Sequence, residues 1–243
     1  VEAFHEAMQQ GRDSSVLSLR ARLLEAVPRH AGAAVHDITA LTELDLECNV
    51  IADLSDARLG DLVGLRVLKL SYNQLLALPN ELRRLTCLTV LEACYNFLPA
   101  IPPCICALPL QQLVLDSNEI REVPDFVAQL TGLTTLSLTN NSIRKISEVV
   151  PARLTKLDRL LLQRNELMTL PPTLMALQAL HTLLEREPSQ AVRSCLTESK
   201  KYIGEVPLVL AAKGIETGSL MTMDEVVHDV LGAAWENRTL AMS

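Results

Sequence analysis

LTELDLECN (41–49), LRVLKLSYN (65–73), LTVLEACYN (88–96), LQQLVLDSN (110–118), LTTLSLTNN (133–141) and LDRLLLQRN (157–165) are six versions of one phrase, L-x-x-L-x-L-x-x-N. One position departs from it, Ala93 in place of the third leucine. Successive copies start 24, 23, 22, 23 and 24 residues apart. The stretches between them are also regular: NQLLALPNELRRL (73–85), NEIREVPDFVAQL (118–130) and NELMTLPPTLMAL (165–177). A fixed period of this length is the mark of a stacked repeat architecture, in which each unit buries its apolar face only against its neighbours.

The spacing has a direct physical reading. In L-x-L the two leucines face the same side of a short strand. Parallel strands lie ~4.8 Å apart, so like positions stack into leucine columns from unit to unit. The closing asparagines, Asn49, Asn73, Asn96, Asn118, Asn141 and Asn165, stand where the chain turns inward. An amide side chain carries donors and an acceptor, so these six are expected to form a ladder that satisfies buried backbone groups of adjacent turns. The L-P segment then brings the chain back along the outer side in short helical or extended turns. Proline suits the start of such a turn and not its middle. The 24-residue unit 133–156 has Ser147 where that proline belongs and Pro151 later, so its outer loop is expected to bulge by one residue.

Composition agrees. The chain has 243 residues, 49% hydrophobic but only 3% aromatic, and 47 of them are leucine, so the core is aliphatic. That much apolar content excludes general disorder. A net charge of −7 argues against a nucleic-acid binder, because a phosphate backbone wants a basic face. No apolar run approaches the ~20 residues of a membrane span. The opening VEAFHEAMQQ lacks the pattern of a secretory signal, and Val1 is expected to follow processing or an upstream part of a longer chain. Cys48, Cys87, Cys94, Cys104, Cys106 and Cys195 do not cluster at the two ends of the repeats, which suits thiols in a reducing, cytoplasmic setting. The Cys104-x-Cys106 pair has no histidine close by in sequence and is read as ordinary thiols, with no metal.

Repeat arrays need caps, because terminal units expose an open core face. Residues 1–40 are read as a capping helix over 2–10 followed by a degenerate first unit, VLSLRARLLEAVP (16–28), with Arg22 where asparagine belongs. The repeats are expected to extend to residue 188, the last strand, LHTLLEREP (180–188), being distorted. Residues 189–243 are read as a helical C-terminal cap or tail. Within it, SQAVRSCLTESKKYIG is an amphipathic helix and VPLVLAAKGIETGS a connector. TMDEVVHDVLGAAWEN is a second helix, opened by the Thr222/Glu225 capping box, with its stripe ending at Trp235. That stripe packs either on the last repeat or on a partner.

The repeat residues over 16–188 resemble the intracellular leucine-rich repeat proteins with L-x-x-L-P units, the group that includes Ras-scaffolding and Ras-suppressor types. The resemblance implies an α/β leucine-rich repeat solenoid, a curved horseshoe with a parallel sheet on its concave face. It also implies binding of other proteins without catalysis or cofactor. Ala93, Glu187 in place of asparagine, and the tail after 204 depart from the pattern.

Within that frame the x positions of each strand form the concave face. The first unit contributes Glu43, Asp45 and Glu47, an acidic patch. Arg66, Val67, Lys69 and Tyr72 come from the second, Val90, Glu92 and Tyr95 from the third. The fourth and fifth are neutral, and the sixth turns basic with Arg159 and Arg164. Tyr72 and Tyr95 hold the same repeat position and are expected side by side in the middle of the sheet. Tyrosine and arginine are favoured hot-spot residues, so this set is the candidate partner site.

Catalysis finds no support in the motifs. His5, His30, His36, His181 and His228 fall in no nucleophile or metal spacing, and none of the nine glycines forms G-x-G or GK[ST]. The function classes left are a non-catalytic interaction scaffold, a structural subunit of a large cytoskeletal or ciliary assembly, and a regulatory subunit of an enzyme such as a phosphatase or small GTPase.

Overall fold

The computed structural model describes residues 15–27, 41–167, 171, 173, 208–210 and 239–241. The expected capping helix over 2–10, the strand at 180–188 and the two helices of the tail lie outside these. The chain divides into two compact units, Val1–Glu119 and Ile120–Ser243.

In the first unit, β1 (Val16–Ser18), β2 (Glu43–Asp45), β3 (Val67–Lys69), β4 (Val90–Glu92) and β5 (Gln112–Val114) pair in that order. All are parallel, and the central leucines stay in register: Leu17, Leu44, Leu68, Leu91 and Leu113 are mutual partners. Each strand has only three residues because the next leucine already begins the turn. Both leucines of L-x-L are buried in every unit, Leu44 and Leu46 or Leu68 and Leu70, for example. Ala93 is buried like the leucines whose position it takes. The degenerate unit 16–28 joins the sheet through β1. Leu17, Leu19 and Val27 are buried, and the Arg22 amide donates to Asn49 Oδ1 at 3.0 Å.

The return path is a 3-10 turn. It covers Asn80–Arg84 and Pro103–Ala107 here, and Asp125–Gln129 in the second unit. Pro79, Pro102 and Pro124 precede these turns, and each proline carbonyl accepts the first i+3 bond, from Leu82, Ile105 and Val127. A missing amide costs nothing at that position. In the first full unit the turn is shorter, Leu59–Asp61, and packs against 80–84. A β-carbon on Gly60 would lie 3.0 Å from the Glu81 carbonyl oxygen, so this close approach depends on glycine.

In the second unit, β7 (Thr135–Ser137) pairs with β9 (Arg159–Leu161), and β6 (Glu122–Val123) with β8 (Lys145–Ile146), both in parallel. The 24-residue unit takes up its extra residue by winding wider. α1 (Val149–Arg153) is one α-helical turn, with Leu154 N donating to Val150 O at 3.1 Å, where its neighbours have 3-10 geometry. Ser147 replaces the proline and accepts the Val149 amide on its hydroxyl at 3.3 Å.

The reading of 189–243 as two helices joined by a connector leaves out two strands. β10 (Leu208–Leu210) lies within the expected connector, and β11 (Thr239–Ala241) follows the expected last helix; the two pair in parallel. A short apolar run such as VPLVLAA can be a buried parallel strand as easily as a linker, and periodicity alone does not separate the two. Parallel pairing also demands a long crossover, which residues 211–238 supply.

Candidate interaction surface

The asparagines fix the strand ends. Asn73 Oδ1 accepts the Ile51 amide at 3.1 Å, and its Nδ2 donates to the carbonyls of Leu46 (2.9 Å) and Leu70 (3.0 Å). Asn96 repeats this with the Leu75 amide and the Leu70 and Ala93 carbonyls. Asn118 does so with the Leu98 amide and the Ala93 and Leu115 carbonyls. Asn49 reaches back into the degenerate unit, accepting from the amides of Arg22 and Leu24 and donating to Leu19 O. In the second unit Asn141 accepts from Ile120 N, while Asn165 accepts from Ile143 N and donates to Leu138 O. Each side chain thus bonds its own turn and the preceding one.

The residue before each asparagine has a left-handed backbone. φ is 57° at Cys48, 58° at Tyr72, 53° at Tyr95, 54° at Ser117, 57° at Asn140 and 57° at Arg164. This corrects the expected position of the tyrosines, which sit in the turn that ends the strand and not in mid-sheet. Amides at this position still bond the neighbouring unit, Tyr72 N to Cys94 O (2.8 Å) and Tyr95 N to Asp116 O (2.9 Å), which keeps the two turns aligned. The rings therefore stack, with centroids 4.4 Å apart and planes 9° from parallel. Each residue is half exposed, 50% and 51%. Partial desolvation pushes the Tyr72 phenol pKa up, and the adjoining Tyr95 adds to it. Phe97 and Leu76, just past the asparagines, are also exposed.

The acidic patch is less open than its sequence suggests. Glu43 holds Lys69 Nζ at 2.6 Å, and Glu47 is buried and paired with Arg20. Asp45 accepts the Ser18 hydroxyl at 3.1 Å and the Glu47 amide at 2.9 Å. The bond to Glu43 raises the Lys69 pKa. Burial raises that of Glu92; Lys69 opposes this, and Glu47, Glu43 and Asp45 reinforce it. Arg66 is exposed, and Val67 and Val90 are half buried. Arg159 and Arg164, both exposed, belong to the second unit and are described there alone. Arg20 is a member of this surface that the repeat pattern does not mark. Its position in a degenerate unit without the asparagine hid it, although it lies two residues before Arg22.

Cys48, Cys87, Cys94, Cys104 and Cys106 are free thiols. Burial raises the Cys104 thiol pKa and pushes that of Cys94 up to about 11, which makes both poor nucleophiles. Among the described residues no three metal-binding side chains gather, and no helix is long and apolar enough to cross a membrane.

Short parallel strands in leucine register, an asparagine ladder and 3-10 return turns define a leucine-rich repeat protein. The leucine rich repeat family model matches residues 39–98 and 109–167, and the chain belongs to that family. Mouse leucine-rich repeat and calponin homology domain-containing protein 1 is 32% identical over 133 residues, 55% of this chain and 18% of the relative. The Drosophila melanogaster protein of that type is 31% identical over 181 residues, 70% of this chain and 21% of its own length. The chain thus spans about a fifth of these relatives. A leucine-rich repeat protein of Leptospira interrogans superposes with a TM-score of 0.62 at 24% identity, covering 87% of this chain and 64% of that one. The ectodomain of the Arabidopsis receptor kinase HAESA, solved with an extended IDA peptide hormone, gives 0.60 at 26% identity, covering 85% and 36%.

A second likeness begins where the first ends. Residues 161–241 match the NAD-dependent glycerol-3-phosphate dehydrogenase N-terminus. The glycerol-3-phosphate dehydrogenase of Anaeromyxobacter sp. (strain K) is 44% identical over 70 residues, 26% of this chain and 21% of the enzyme. Within this stretch β10 and β11 pair in parallel, as strands do in α/β domains. No G-x-G spacing occurs in the chain, and the likeness covers 21% of the enzyme. Sequence reading passed over this likeness because it looked for the glycine fingerprint, and the matching stretch has none.

Proposed function

We propose that the repeats bind a partner protein, without catalysis, across the strand face and strand-end turns of the first unit, and so act as a scaffold or adaptor. The observation that carries this reading is the Tyr72–Tyr95 stack, aligned by backbone bonds and half open to solvent. Rigid aromatic side chains held in aligned strand-end turns lose little entropy on binding and are typical anchors. Glu43, Asp45, Glu47, Arg66, Val67, Lys69, Val90 and Glu92 form the surrounding contact area, and Arg159 and Arg164 are proposed as contacts of the second unit. The peptide hormone held by the related HAESA ectodomain supports a binding role for repeats of this kind. The scattered cysteines favour an intracellular setting. For residues 161–241 the reading is of an α/β segment without dinucleotide binding or dehydrogenase activity of its own, since the likeness covers 21% of the enzyme and no G-x-G spacing occurs in the chain.

The test is quantitative binding of a partner first isolated on the immobilised wild-type chain. Tyr72→Ala with Tyr95→Ala is expected to weaken it by ~2 kcal/mol, and Arg121→Ala to leave it unchanged. A partner held equally well by the double variant would defeat the proposal.

A further inference from the structure

We propose that the Tyr72–Tyr95 stack is a clamp for arginine side chains, so that the partner segment seated on this face is cationic; this rests on the docking reading above. The argument starts from the residues that share the tyrosines' repeat position. Along the array this position runs Cys48, Tyr72, Tyr95, Ser117. The two rings cover each other's inner faces. Small side chains flank them, so beyond each ring lies one strand spacing, ~4.8 Å, with no bulky group at the equivalent position. A planar guanidinium stacked on an outer ring face would take the place of a third ring. Arginine stacks in this way, while the compact, strongly hydrated lysine ammonium does so less well.

Charge favours the same occupant. The side chains facing out along β1–β5 and into the following turns include five carboxylates: Glu43, Asp45, Glu47, Glu92 and Asp116. Lys69 and Arg20 share those columns and are engaged with Glu43 and Glu47, and Arg66, exposed just before β3, is the third cation of this face, so the carboxylates still outnumber the cations. Burial is the first cause of the raised Glu92 and Cys94 pKa values, and the neighbouring carboxylates, Glu47, Glu43 and Asp45 for Glu92 and Asp116 for Cys94, add to it. A cationic segment relieves that potential, whereas an acidic peptide or a phosphate backbone would deepen it.

The probes are three fluorescein-labelled peptides of equal length and apolar content, bearing four arginines, four lysines or four glutamates, titrated by anisotropy against the full chain. The arginine peptide is expected to bind ~5-fold tighter than the lysine peptide, and the glutamate peptide to show no saturable binding. Tyr72→Ala with Tyr95→Ala should erase the arginine preference. Tyr95→Phe keeps the ring face and should retain it, which separates the effect from misfolding. Equal binding of the arginine and lysine peptides, tightest binding of the glutamate peptide, or a preference that survives loss of both rings would overturn the clamp. If the double variant loses the natural partner while the wild type shows no arginine preference, docking stands and the clamp falls. If the partner is kept by the double variant, docking itself falls.

Discussion

Replacing Asn118 with alanine tests the ladder at a position where every bond is defined. Asn118 is buried, 8% exposed. Its Oδ1 accepts the Leu98 amide at 3.1 Å, and its Nδ2 donates to Ala93 O at 2.9 Å and Leu115 O at 3.0 Å. The Ala93 carbonyl keeps a second donor, Asn96 Nδ2 at 3.2 Å, so it is not orphaned by the change. The Leu98 amide has no such reserve among its described bonds, and Leu98 is itself 1% exposed. An unsatisfied buried donor costs ~1–3 kcal/mol, and weakening two carbonyls adds to it, so Asn118→Ala should lose ~2–4 kcal/mol. Urea unfolding followed by circular dichroism reads this as a lower midpoint. Gln112→Ala, at an exposed strand position, is the control and should stay within ~0.5 kcal/mol. A loss below ~0.5 kcal/mol at Asn118 would refute the claim that its amide satisfies buried backbone.

Gly60→Ala should cost ~1–3 kcal/mol, because the new methyl meets the backbone oxygen of Glu81 at 3.0 Å and a backbone atom cannot swing aside; an unchanged urea midpoint would count against the packing described. Glu92 has a raised pKa, so its stabilising contribution is present in acid and is lost as pH rises through its titration. Glu92→Gln should accordingly raise the melting temperature at neutral pH and lose that advantage in acid; a gain independent of pH would contradict the stated cause. Lys69 has a pKa raised by its bond to Glu43, so its contribution persists below its ordinary titration range and disappears as pH rises through the raised value. Melting scans should show Lys69→Met erasing part of the wild-type loss of stability in alkali. NADH titrated into the full chain should give no saturable fluorescence change, and micromolar binding would overturn the reading of residues 161–241.

The repeat was legible because its signal is redundant. Leu44, Leu68, Leu91 and Leu113 face inward for the same reason, and any one of them predicts the others. The side-by-side tyrosines followed from that register as well. What the register does not carry is backbone conformation at a single turn. Cys48, Tyr72, Ser117 and Arg164 share no chemistry, and without a glycine among them nothing marked their common left-handed φ. Ion pairing was hidden for a related reason. Glu47 looked like an open acid until a cation from a unit without the repeat's asparagine, Arg20, was found beside it. β10 escapes a reading of the sequence because a short apolar run carries no periodicity of its own, and 28 residues separate it from its pairing partner.

Amide hydrogen exchange on the chain with and without its bound partner addresses the docking claim most directly. Protection on binding should appear in the segments 66–72 and 89–95, which carry β3, β4 and the two tyrosines, and be absent from the return turns at 80–84 and 103–107. Protection confined to the return turns, with both tyrosine segments exchanging as in the free chain, would contradict it.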